Sequence, residues 1–187
     1  MGVLDQLQIG NIKIPNRVLM APLSGISDKP FRRLAKLYNA GLVFSEMIAS
    51  KEMIRKSRHA ERKSMICEEK GPIAVQLAGV DAEIMAEAAR ILVDRGANII
   101  DINFGCPAKK IVRKASGSAL MQNVSLATDI MFKVVKSVHV PVTVKMRTGW
   151  DDSNRNAPTM ARIAEDAGIQ LITVHGRTRC QMYKGRS

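Results

Sequence analysis

Cysteine is scarce in this chain of 187 residues: Cys67, Cys106 and Cys180 stand far apart and odd in number. That excludes a disulfide scaffold and points to a reducing compartment. Neither these thiols nor the three histidines have the spacing of metal ligands, so no metal is expected. Aromatics make up 4%, too few for a platform that stacks single-stranded bases. No apolar run approaches the ~18 residues of a membrane helix. The N-terminal stretch 1–15 carries Asp5 and no continuous apolar core, against a signal peptide. Gln6 stands where a myristoylation signal has Ser or Thr. A cytoplasmic protein with no membrane partner is therefore expected. Acidic residues are also short: 17 Asp and Glu face 29 Lys and Arg, a net charge of +12. Such an excess favours polyanions as partners.

What is present is a repeat of two patterns. Short, β-branched apolar runs occur at 17–21, 41–45, 72–77, 98–103, 140–146 and 170–175. Their nearly continuous apolar character is that of strands buried on both faces. Amphipathic segments lie between them. Asp28 and Pro30 open one through Leu37, and Asp81 caps 82–95, with Ile84, Ala88, Ile91 and Leu92 on one stripe. Ser125 precedes 126–137, and Asn156 or Pro158 opens a run to Ala167. Gly41, Gly96 and Gly168 each separate a helix from the next strand.

Repeating βα units predict a parallel sheet, open or closed into a barrel. No G-x-G-x-x-G follows the first strand, which weakens a dinucleotide-binding fold. The units recur every ~31 residues, and eight of them need about 245, near the size of a (β/α)8 TIM barrel. Only about six fit here. Gln76, Asn103, Lys145, Arg147, His175 and Arg177 fall at or just beyond strand C-terminal ends, which in a barrel converge on the mouth that holds the active site.

Within that mouth, Asn103-Phe-Gly-Cys-Pro107 places Cys106 at the tip of a βα connection. A free thiol is often inert and buried, but one at this place can serve as nucleophile or general acid. Lys145 and Arg147 share one face of a strand, and His175 and Arg177 repeat the pattern on the next. Four donors on adjacent strands suit an electron-rich ligand, such as phosphate or a flavin edge. His59 and His139 read as structural or solvated, and Cys67 and Cys180 as incidental. Two segments concentrate positive charge: 51–63 has six Lys or Arg, and 109–114 has four. Both follow strand C-terminal ends, so both are expected around the mouth, where they would draw in a polyanion.

These segments resemble one known family. Asn103–Lys110 followed by Gly117-Ser-Ala-Leu120 is similar to the catalytic segment of tRNA-dihydrouridine synthases. Segments 21–32, 75–79, 144–150 and 174–179 match in order, most like the bacterial B-type, NifR3-like branch. The resemblance covers essentially the whole chain. It implies an FMN-dependent oxidoreductase that uses NADPH to reduce the C5=C6 bond of particular tRNA uridines. Flavin would give hydride to C6 and Cys106 would protonate C5, which requires the base to leave its stack. It also implies that Pro22, Leu23 and Ser24 line the flavin ring and that Gln76, Lys145 and His175 hold FMN. Lys145 would lie near the electron-rich end of the ring, where a cation stabilises the reduced, anionic form. Asn103 and Arg177 would face the uracil. A monomer is expected.

Members of that family continue through two more βα units and a helical tRNA-binding domain. The resemblance thus implies the N-terminal portion of a TIM-barrel catalytic domain, with the activity of the chain alone left open. Two alternatives stand beside it: an inactive RNA-binding remnant, or a flavin barrel acting on a small pyrimidine. The basic rim argues against the last, since a small substrate does not need it.

Overall fold

The computed structural model describes residues 6–66 and 71–186. The first element is one that strand periodicity further along the chain does not announce. It is an antiparallel hairpin of β1 (Leu7–Ile9) and β2 (Ile12–Ile14), paired Leu7↔Ile14 and Ile9↔Ile12. Gly10 and Asn11 form its two-residue turn, and Gly10 takes the positive φ of +56° that such turns need. Gln8 and Lys13 point to solvent while Ile9 and Ile14 are fully buried.

The main sheet follows the predicted pattern. β3 (Leu19–Met20), β4 (Leu42–Phe44), β6 (Ile73–Ala78), β7 (Ile99–Phe104), β8 (Val142–Arg147) and β9 (Leu171–His175) pair side by side and all in parallel. A seventh strand, β5 (Ile48–Ala49), also pairs with β6, as Ile48↔Leu77 and Ala49↔Ala78. It re-joins the sheet beyond a break at 45–47, where the Ser45 hydroxyl accepts from the Gln76 N–H at 3.1 Å. The result is a curved half-barrel with β3 and β9 at its open edges. β6 and β7 are buried throughout, whereas β9 is partly exposed, with Val174 46% accessible.

The helices flank the sheet: α1 (Lys29–Leu37), α4 (Ala82–Asp94), α6 (Val124–Ser137) and α7 (Ala157–Asp166) on its outer face, and the short α2 (Ser50–Ile54), α3 (Arg58–Lys63) and α5 (Lys109–Val112) beyond strand C-terminal ends. Asp28 caps α1 by accepting from Phe31 N–H, and Asp81 caps α4 by accepting from Glu83 and Ile84 N–H. α6 starts earlier than Ser125 suggests: Asn123 is the cap, its side-chain Oδ1 accepting from Leu126 N–H at 3.1 Å. On α4 the buried stripe is Met85, Ala88, Ala89 and Leu92, and Ile84 and Ile91 sit at its margin. Small alanines let α4 approach both the sheet and α6, so the helix turns its narrow side inward. α1 ends on the left-handed Asn39, with φ of +69°. Gly41 serves a different need from Gly96 and Gly168, because a Cβ there would meet the Asn16 carbonyl at 2.7 Å.

The two faces of the sheet differ in chemistry. Val75, Leu77, Ile100, Ile102, Val142 and Val144 face the helices in one large core. On the inner face, Leu42, Phe44, Ala74 and Ile99 pack on Ile9 and Ile14 of the hairpin, which closes the N-terminal end of the half-barrel. Above that apolar floor, the inner positions become polar.

Candidate active site at the strand C-termini

Parallel register stacks the inner polar residues in rows. Gln76, Asp101 and Thr143 lie side by side in one row. Asn103, Lys145 and Thr173 form the next, and Arg147 pairs with His175 above them. Residues two apart on a strand share a face, so each row is supplied by alternate positions of successive strands. The sequence thus brings together Gln76, Asn103, Lys145 and His175 at one mouth, as expected.

The rows are joined by a directed chain of hydrogen bonds. Asp101 is fully buried and its carboxylate can only accept. Thr143 Oγ1 donates to Asp101 Oδ1 and Gln76 Nε2 to Oδ2, both at 2.6 Å. With its amide nitrogen so engaged, Gln76 turns its oxygen to Asn103, whose Nδ2 donates at 2.8 Å. Asn103 therefore directs its own oxygen at the following loop, where it accepts from the N–H groups of Gly105 (3.2 Å) and Cys106 (2.9 Å). Burial pushes the Asp101 carboxyl up to about 6, against the lowering effect of Thr143, Gln76 and the Lys145 charge. Asp101 escaped notice in the sequence, although its place two residues before Asn103 puts it on the same inner face.

The Cys106 loop is held from two further sides. The Cys106 carbonyl accepts from Ser118 N–H at 3.1 Å and from its hydroxyl at 2.9 Å. Gly117 packs so closely that a Cβ would lie 3.1 Å from Cys106 Cβ and 2.8 Å from its carbonyl oxygen. Arg147 is buried, and its Nε donates to Gly105 O at 2.9 Å while one terminal nitrogen donates to Thr178 O and Met182 O. Its guanidinium is therefore committed to splinting two loops, in contrast to the ligand-facing part expected of it beside Lys145. Cys106 itself is half-buried and unpaired.

Lys145 is different. Its ammonium makes no hydrogen bond or ion pair among the described residues. Burial lowers its pKa, Asp101 partly offsets this, and Arg147 adds repulsion. His175 Nδ1 accepts from Arg177 N–H at 3.1 Å, which leaves the ring proton on Nε2. Burial and the cations Arg147, Lys145 and Arg177 all hold His175 towards its neutral form. Arg177 donates to the carbonyls of Lys184 and Gly185, which ties it to the segment after β9.

Pro22, Leu23 and Ser24 form an exposed loop after β3. The Leu23 carbonyl accepts from Ile26 N–H, Ser27 N–H and the Ser27 hydroxyl, and Leu23 N–H donates to that hydroxyl at 3.0 Å. Gly25 N–H donates to buried Glu46 at 2.7 Å, and Glu46 in turn pairs with Lys63 of α3 at 3.3 Å. The loop is thereby anchored to the end of β4. Both basic segments, 51–63 and 109–114, follow strand C-terminal ends and stand beside this mouth. Cys180 is exposed, His59 and His139 are exposed outside the polar rows, and Cys67 lies outside the described residues. No group of three or more metal-ligating side chains occurs among the described residues. Nor is any helix among them long and apolar enough to cross a membrane.

Comparison with known proteins adds to this geometry. The family model described as "Dihydrouridine synthase (Dus)" matches residues 19–187. The chain is 55% identical over 182 residues to a probable tRNA-dihydrouridine synthase of Rickettsia bellii, covering 97% of this chain and 56% of that protein. It is 50% identical over 181 residues to tRNA-dihydrouridine synthase B of Pasteurella multocida, covering 97% and 54%. The match to the same-named protein of Pseudomonas aeruginosa is 48% over 184 residues, covering 98% and 55%. The chain spans about half the length of the curated relatives it matches. Among solved structures, morphinone reductase superposes with a TM-score of 0.63 at 16% identity, over 92% of this chain and 71% of that one. That likeness supports the half-barrel fold alone.

Proposed function

This chain belongs to the dihydrouridine synthase family, and we propose that it is the N-terminal part of a TIM-barrel enzyme that reduces uridines of tRNA to 5,6-dihydrouridine. The observation that carries this reading is Cys106, a half-buried thiol whose loop is fixed from three sides at the mouth of the half-barrel. Open strand edges at β3 and β9 and the half-length match to relatives support assigning the chain to a longer barrel. FMN is the cofactor of the reading and NADPH its reductant; when bound, the flavin supplies hydride for C6 of the uracil.

The residues present fit such a group. Lys145 offers a cation with no partner among the described residues inside a partly desolvated mouth, which suits the electron-rich end of a flavin. His175 offers an Nε2 proton from the neighbouring strand. Gln76 keeps one N–H beyond its bond to Asp101. In this reading Gln76, Lys145 and His175 hold FMN, with the backbone of Pro22, Leu23 and Ser24 along the ring. Asn103 has one N–H left over for the uracil, and Arg177, two residues beyond the end of β9, offers the same base the one terminal nitrogen outside its bonds to Lys184 and Gly185.

Cys106 acts as general acid. Its S–H bond breaks as C5 gains the proton, and the thiolate left behind is reprotonated from solvent. The loop bonds hold the sulfur without occupying it. The basic rim favours RNA over a free pyrimidine as substrate, and the enzyme is read as a cytoplasmic monomer.

The test is Cys106→Ala in the full-length enzyme. A positioned general acid contributes roughly 10²–10⁴-fold, so dihydrouridine formation should fall by that factor while FMN stays bound. Dihydrouridine formed at the normal rate would remove Cys106 from the mechanism.

A further inference from the structure

Segments 51–63 and 109–114 are 46 or more residues apart in sequence, yet they face each other across one cleft of about 740 Å³. That volume is within the ~300–1,000 Å³ of small-ligand sites. Lys51 and Arg55 line it from α2, and Lys110 and Lys114 from α5 and the turn after it. None of these four makes an ion pair or side-chain hydrogen bond among the described residues. Lys63 also lines the cleft, but its charge is met by Glu46. Glu52 is the one acid in the lining. The floor is apolar: Ile48, Ala78, Val80 and Ile111.

Four cations without an ion pair among the described residues repel one another around one cavity, and an anion between them relieves that repulsion. An apolar floor beneath a cationic rim matches a nucleotide, with base below and phosphates above. The cleft also adjoins the candidate active site. Ser116 lines it, the Ser116 hydroxyl donates to Gly79 O at 3.2 Å, and the next two residues, Gly117 and Ser118, hold Cys106. The wall of the cleft and the support of the Cys106 loop are thus one stretch of backbone.

We propose that this cleft is a nucleotide subsite for the RNA strand: it takes a neighbour of the reacting uridine, with its phosphates on Lys51, Arg55, Lys110 and Lys114. The proposal rests on the dihydrouridine synthase reading and adds where the strand runs. The flipped uridine stands at Cys106, and the chain leaves it past Ser116 and between α2 and α5. Exposed cations on both walls hold that neighbouring nucleotide and so fix which base reaches the thiol.

The experiment measures binding of an unmodified tRNA transcript to the full-length enzyme across a salt series. Each phosphate contact contributes a slope of about 0.7–0.9 in log K against log salt, equivalent to roughly fivefold at 0.1 M. The triple variant Arg55→Gln/Lys110→Gln/Lys114→Gln should therefore bind roughly 100-fold more weakly at that salt, with a slope smaller by about two. The control triple Arg90→Gln/Lys136→Gln/Arg162→Gln removes equal charge from the exposed helical side and should change affinity by less than about threefold. Lys114→Gln alone, on an exposed side chain, should lose about fivefold and one contact's slope, and serves if the triple does not fold. Equal losses in the cleft and control triples would overturn the subsite and leave the tRNA reading standing. Weakened NADPH binding with unchanged RNA binding would assign the cleft to the reductant's phosphates and also overturn it. A full-length wild type that binds no tRNA at any salt would overturn both.

Discussion

Asp101→Asn isolates the most perturbed group in the polar rows. The carboxyl is fully buried, and its pKa is pushed from 3.8 to about 6, chiefly by burial. A carboxyl whose pKa is higher in the folded state is relatively favoured there while protonated. Its contribution is fully present below the unfolded value and is lost as pH rises through the folded value. The shift corresponds to about 3 kcal/mol in all, of which about 2 kcal/mol is lost between pH 4 and pH 7. The amide of the variant has no such titration. Its oxygen can still accept from Gln76, and its nitrogen can donate to Thr143, whose hydroxyl accepts equally well. The substitution is therefore nearly isosteric and removes the ionisation alone. Urea denaturation at pH 4 and pH 7 checks this, with the variant as reference. Relative to Asp101→Asn, the wild type should weaken by about 2 kcal/mol over that range, or about 1 M in urea midpoint at a typical m value. A difference that stays flat, or that favours the wild type more at pH 7, would refute the burial argument.

Two other substitutions test the supports of the site. Gly117→Ala adds a Cβ at φ +63°, 2.8 Å from Cys106 O and 2.9 Å from an Ile111 methyl; strain and overpacking together should cost about 2–3 kcal/mol by urea titration. The same change should slow dihydrouridine formation, because the atom it displaces belongs to Cys106. Lys63→Met strands the buried Glu46 carboxylate and should cost about 3 kcal/mol. Adding Glu46→Gln, whose amide oxygen can still accept from Gly25 N–H, should recover at least half of that loss, as a double-mutant cycle would read.

The parts of this fold that depend on local pattern were visible in the sequence. β6, β7 and β8 are short apolar runs because both faces are covered, and Asp28 and Asp81 cap their helices because short acceptors satisfy free N–H groups there. Where two local signals compete, the reading failed by a few residues. Ser125 and Asn123 are both good caps, and only the bond to Leu126 N–H chooses Asn123. The hairpin carries its own signature in Gly10–Asn11 between alternating runs, but three-residue strands are too short to stand out by period. β5 is two residues long and exists because β6 offers it an edge. In the site, Lys145 and His175 were legible from their place at strand ends. The commitment of Arg147 was not, since its partners Thr178 and Met182 come from a loop 31 and 35 residues away. Asp101 was hidden for the same reason: its partners lie 25 residues before it and 42 after it.

Those distant partners give the site a polarity that no single motif contains. Amides can turn either way, so the Gln76–Asn103 bond alone does not decide which end of Asn103 meets the Cys106 loop. Asp101 decides it, because an ionised carboxylate cannot donate. It draws the nitrogen of Gln76, which turns the oxygen of Gln76 to Asn103, which turns the oxygen of Asn103 to the N–H groups of Gly105 and Cys106. Reverse the direction and Asn103 would present N–H to N–H at the loop, leaving two backbone donors unmet at a cost of about 1–3 kcal/mol each. The aim of the Cys106 loop is thus set three side chains away, on a strand face that packing alone would have filled with valine. A buried acid is tolerated there because the row it anchors holds the thiol in place.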